Sequence, residues 1–155
     1  MRWFGGFIGP TSAPREPVGA RPACPESPRL WLVGSWHGHE IQLGRARRGA
    51  VAVIGSCGAS PHDLTTMASR GALNDVVLRW PGCYVVVEVT DAATTIWTDV
   101  GGAWPIYTVS ADGGTYWASS SRALAGLTGA HPDLDRLAAW LVAPFAPVRD
   151  RKSVV

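Results

Sequence analysis

The 155-residue chain is poor in lysine, in paired cysteines, in charge of either sign and in long apolar runs. Lys152 is the one lysine among 14 basic residues, a bias common in GC-rich bacterial genes and silent about mechanism. The formal net charge is only +2, and the one basic cluster, Arg45, Arg47 and Arg48, is short. A nucleic-acid surface needs a basic stripe with interleaved aromatics, so no nucleic-acid partner is expected. Cys24, Cys57 and Cys83 are odd in number and form no C-x-x-C pair. That usage suits reduced thiols and a cytoplasmic setting better than a disulfide framework. No apolar run reaches membrane-spanning length, and Pro10 follows directly on a start without basic n-region or long h-region. Neither a membrane partner nor a signal peptide is expected.

What is present is a core. Hydrophobic residues make up 46% and charged residues 17%, which argues for one packed domain and against disorder. Eight tryptophans, from Trp3 to Trp140, add large apolar area. Trp3–Ile8 reads as a short buried strand. The proline-rich segment 10–29 excludes a helix interior and a central strand, and is expected to be a surface loop. "LWLVGSW" (30–36) resumes strand character, and 40–55 has two β-favouring ends around a polar middle, as in a hairpin.

"SPHDLTTMASRG" predicts a helix capped by Ser60, with Pro61 at its first position, Asp63 at its third and a stop at Gly71. Leu64, Met67 and Ala68 would share its buried face. "CYVVVEV" (83–89) is nearly continuously apolar and β-branched, as expected of a strand covered on both faces. It should pair with 94–100 across "TDAA". A second hairpin is expected between 105–110 and 115–119, with Asp112-Gly113 supplying the turn. Two helices should follow, Ser121–Leu127 and 133–142, the latter placing Leu134, Leu137, Ala138 and Leu141 on one face. Hairpins without βαβ alternation point to an α+β fold with helices outside the sheets. Trp80, Trp97, Trp117 and Trp140 are the expected core tryptophans.

Candidate chemistry is thin. Cys57 in "IGSCGAS" precedes a helix N-terminus, which can lower a thiol pKa, though a turn residue is the ordinary reading. A thiol hydrolase built on Cys57 would lose its activity to iodoacetamide. Cys83 opens the apolar strand and reads as a small core hydrophobe. His37 and His39 lie two apart without carboxylate or thiol partners at a fixed offset, so no metal is expected. Ser119, Ser120 and Ser121 supply a helix cap and no G-x-S-x-G elbow. "IGSCGAS" lacks the Lys-Ser/Thr of a phosphate loop.

One stretch is recognisable. "WTDVGGAWPIYTVSADGGTYWASSSRALAGL" resembles the asparagine synthetase family, through Asp99, Gly102, Pro105-Ile106-Tyr107, Ala118-Ser119-Ser120 and Arg122-Ala123-Leu124. "LDRLAAWL" and "PGCYVVVEV" fit the same pattern, over most of 50–142. The resemblance implies a class II glutamine amidotransferase domain of the N-terminal-nucleophile type over 1–143, an αββα sandwich of antiparallel sheets in complete or incomplete form. In that family the nucleophile is a Cys at residue one, whose own α-amine does the proton work. Here "GGFIG" aligns with C-G-I-x-G and puts Gly5 in the nucleophile's place, behind Met1–Phe4. The glutamine-gripping N-G-E is replaced by "IGSCGAS". No catalytic, cofactor-binding or metal residue is therefore carried over.

The start "RWFGG" and "DVGGAWPIY" look most like the lasso-peptide macrolactam cyclase branch. Its members adenylate a side-chain carboxylate and close a ring with the peptide's own N-terminal amine. The implied partners are a synthetase domain and a precursor peptide, with ATP and Mg belonging to that domain. Its S-G-G-x-D-S motif is absent from this sequence, and 144–155 match nothing in the family. Whether the chain itself is an enzyme is left open. A truncated or frameshifted product is the favoured expectation, ahead of a split subunit or a fragment. Trp104 is a candidate contact with the synthetase domain or a packed turn. The alternatives are a non-catalytic interaction module and a glutamine-hydrolysing asparagine synthase homologue.

Overall fold

The computed structural model describes residues 1–10, 14–24, 27–46, 49–70, 79–90, 93–99, 101, 103–131 and 133–142. Nine strands are described: β1 (Trp3–Ile8), β2 (Ala20–Cys24), β3 (Ser27–Val33), β4 (Ile41–Ala46), β5 (Gly49–Cys57), β6 (Gly82–Thr90), β7 (Thr94–Trp97), β8 (Tyr107–Ala111) and β9 (Gly114–Ala118). The helices are α1 (Pro61–Arg70), α2 (Ser121–Thr128) and α3 (Leu134–Val142), with a 3-10 turn at Gly38–Glu40. The strands form a five-stranded sheet, β2-β3-β1-β9-β8, and a four-stranded sheet, β4-β5-β6-β7. Every described pairing is antiparallel. The α+β class read from the hairpin pattern is correct.

Alternation along the strands sorts side chains into three apolar layers. Between the sheets lie Phe4, Leu30, Leu32 and Trp117 of one sheet and Ala52, Ile54, Val85 and Val87 of the other. The opposite face of β5 and β6 presents Val51, Val53, Tyr84 and Val86 to Leu64 and Met67 of α1. The opposite face of the five-stranded sheet presents Trp3, Phe7, Trp31 and Tyr116, closed by Leu124 of α2. Strand β6 is thus covered on both sides, which is why its sequence shows no polar alternation. The layer order is helix, sheet, sheet, helix.

Local signals act as read. Ser60 Oγ accepts from Asp63 N at 3.2 Å, and Asp63 Oδ2 accepts from Ser60 N at 2.9 Å, closing a capping box on α1. Ser120 Oγ accepts from Ala123 N, and Gly129 ends α2 in the left-handed region. Asp112 and Gly113 both take positive φ, 54° and 75°, the two-residue hairpin turn expected there.

Four expectations need correction. Segment 10–29 is not only a loop: Ala20–Cys24 forms edge strand β2, with Ala23 and Cys24 buried. An edge strand tolerates Pro22 because one side of it needs no donor, and the register shifts between Pro22 and Cys24. Arg15 is held as well, its N–H donating to Tyr116 Oη at 2.8 Å. Cys83 is exposed, because burial in β6 begins at Tyr84. Leu134 and Leu141 of α3 are 73% and 74% exposed, and Ala138 on the same face is exposed as well. Trp80 and Trp97 are half-buried at the α1 layer, and Trp117 is fully in the core. The side chains of Leu137 and Trp140, with Arg47, Arg48, Gly71, Val100, Gly102 and residues 143–155, lie outside the described residues.

Candidate functional site

Gly5, the residue in the nucleophile's place by resemblance, lies on β1, the middle strand of its sheet. Gly5 pairs with Trp31 on one side and Ala118 on the other. A Cβ added at Gly5 would stand 2.5 Å from the Trp117 carbonyl oxygen and 2.9 Å from Ala118 Cβ. One added at Gly6 would stand 2.6 Å from the Arg29 carbonyl oxygen and 2.9 Å from the Trp117 ring. These approaches are closer than real Cβ atoms show, so both positions require glycine unless backbone moves. Position 5 therefore has no room for a cysteine, and it lies inside a strand and not at a chain terminus.

Next to it the inter-sheet layer is filled with rings. Phe4 is fully buried, with ring centroids 6.1 Å from Trp36, 5.7 Å from Trp104 and 6.3 Å from Trp117. Trp36 and Trp104 lie 6.2 Å apart and are half-buried, so they close the layer at the surface. Polar contacts hold each in place. Asp99 accepts from Ala103 N at 3.1 Å and from Trp104 N at 3.3 Å, which fixes the turn carrying Trp104. Trp36 Nε1 donates to the Val33 carbonyl at 3.0 Å. The Arg2 guanidinium sits 5.0 Å over the Trp36 ring and donates to Glu40 Oε1 at 2.6 Å. The His37 N–H donated to Glu40, then Arg2, hold the Glu40 carboxyl below its ordinary pKa. Trp104 is thus packed into its turn with part of its ring at the surface.

The remaining candidates are scattered. Cys57 ends β5 half-buried, its Sγ accepting from Ala59 N at 3.4 Å. Burial pushes this thiol up, the opposite of what a nucleophile needs. The Cys83 thiol donates to Asp99 Oδ2 at 4.0 Å. His37 and His39 stack at 5.5 Å, and no metal-holding group of three His, Cys, Asp or Glu occurs among the described residues. Ser119 caps nothing: its Oγ accepts from Phe4 N at 3.0 Å and extends the β1–β9 ladder, while Ser120 caps α2.

Sequence reasoning missed Phe4, Trp36 and the Arg2–Glu40 pair. The usable signal was the opposition of Gly5-Gly6 to a large residue, which becomes visible only once β9 is known to be the neighbour. Chemically the arrangement packs rings together, and among the described residues no activated nucleophile has a base in reach. No family model, curated protein or solved structure matches the chain.

Proposed function

We propose that this chain is the catalytically inert, glutamine amidotransferase-like domain of an ATP-dependent amide ligase, of the lasso-peptide macrolactam cyclase type. The observation that carries the reading is Gly5, whose missing side chain has no space between Trp117 and Ala118. The two stacked antiparallel sheets with outer helices support an N-terminal-nucleophile-hydrolase-like sandwich that kept its core and lost its site. A ligase whose substrate brings its own amine has no need of released ammonia. The carboxylate displaces pyrophosphate from ATP, and the amine then displaces AMP and gives up a proton. That chemistry belongs to a synthetase domain bearing S-G-G-x-D-S, with ATP and Mg.

The test pairs two assays. The purified chain is expected to release no ammonia from glutamine. Combined with an S-G-G-x-D-S synthetase polypeptide and a precursor peptide, it is expected to permit ATP-dependent loss of one water from the peptide. Glutamine hydrolysis, or ring closure equally fast without the chain, would overturn the proposal. A second reading, a non-catalytic interaction module, is favoured by the exposed apolar residues Leu134, Leu141 and Val142 of α3.

A further inference from the structure

Among the described residues the five-stranded sheet ends at β8, and α2 packs over one face of β8 and β9. Between them lies an open cleft of about 500 Å³. Tyr107, Val109, Leu124 and Ala125 give it an apolar floor, and Arg122 and His131 stand among its lining. No carboxylate is among the lining residues described. An edge strand also presents a row of backbone N–H and C=O groups, since alternate residues of β8 face away from β9. Strand β2, at the other edge of this sheet, is interrupted by Pro22 and a register shift. Strand β7 spans only four residues.

We infer that the β8–α2 cleft binds an extended, acidic peptide segment of a partner polypeptide by adding it as a strand to β8. Backbone groups of β8 supply the ladder, which any extended chain can complete. Val109 and Ala111 face the α2 side of the sheet, so a strand laid beside them directs every second side chain toward Leu124 and Ala125. The cationic Arg122 without a carboxylate in the lining selects an acidic side chain at one of those positions. Two-residue periodicity and one charge are thus the recognition rule. The cleft lies outside the Gly5 region and its chemistry does not depend on the ligase reading, so the two proposals stand or fall separately.

The test uses the full chain and two labelled peptides of alternating Val and Thr, one with a central Glu and one with Lys in its place. Fluorescence anisotropy is expected to show saturable binding of the Glu peptide with a Kd of about 1 mM or tighter. The Lys peptide should bind about three- to fivefold more weakly, the size of a partly exposed charge pair. Arg122→Glu, on an exposed side chain, should reverse the order while the circular dichroism spectrum stays unchanged. Arg122→Gln, retaining fold without charge, should make the two peptides equal. Amide exchange is expected to slow at 107–111 on binding. Absence of saturable binding, equal affinities for the wild-type chain, or protection confined to other strands would each overturn the inference.

Discussion

At the scale of single residues, glycine and thiol positions decide what chemistry is open. Gly5→Cys would introduce a thiol while forcing its Cβ against the Trp117 carbonyl and Ala118. The variant should lose about 1–3 kcal/mol of stability, as overpacked cores do, and gain no glutaminase activity. Urea midpoints and an ammonia assay measure the two halves of this expectation. The thiols should separate by accessibility. Cys83 is exposed, Cys57 half-buried and Cys24 buried. Ellman's reagent should label Cys83 first, Cys57 slowly and Cys24 only on unfolding; fast labelling of Cys57 near neutral pH would contradict its raised pKa. None of this order is legible in the sequence, where Cys83 opens an apolar, β-branched run. Burial there depends on which end of β6 the sheet covers, and residue type does not encode it.

At the scale of elements, local chemistry was the readable part. Helix α1 starts where Ser60 and Asp63 close their reciprocal hydrogen bonds. Ser60→Ala should therefore cost about 1 kcal/mol, read as a lower thermal midpoint with unchanged native spectra. Turn residues were equally informative, because Asp112 and Gly113 tolerate the positive φ that a two-residue hairpin needs. The β2 edge was missed because proline density argues against a strand only where both sides are paired. Whether a strand lies at an edge is a property of the sheet. Helix α3 shows the converse: its spacing announces an apolar face, and Leu134 and Leu141 of that face are exposed. Leu141→Glu should change stability of the chain by less than about 0.5 kcal/mol, since an exposed leucine contributes little packing. Loss of more than that, by urea titration, would show the face to be covered within the chain.

At the scale of the whole molecule, three layers of apolar contact set the behaviour with pH. Burial raises the pKa of Cys57, Tyr84 and Tyr116 above the ordinary values of 9.0 for a thiol and 10.0 for a phenol. For Tyr116 the hydrogen bond it donates to Asp112 acts in the same direction. The native state thus keeps protons that the unfolded chain gives up as pH rises through those ordinary values. Stability should be intact near neutrality and fall above about pH 9. Urea midpoints at about pH 7.5 and about pH 10.5 check the sign; a rise at the higher pH would refute it. The inter-sheet aromatic cluster belongs to this scale too. Phe4, Trp36, Trp104 and Trp117 come from four separate stretches of chain, and no spacing rule joins them.

Composition and period were enough to determine that this chain packs as an α+β domain of hairpins with capped helices. Those features follow from interactions between residues close in sequence, and each carries its own signature in turn chemistry, capping or alternation. Gly5 could be read as an absent side chain but not as a position with no room for one. That follows from β9 lying beside β1, more than a hundred residues later in the chain. The same long-range pairing left β8 at an edge with α2 alongside. Only the tertiary structure decided both, because strand order depends on which apolar faces can be buried together and not on any single segment's preference.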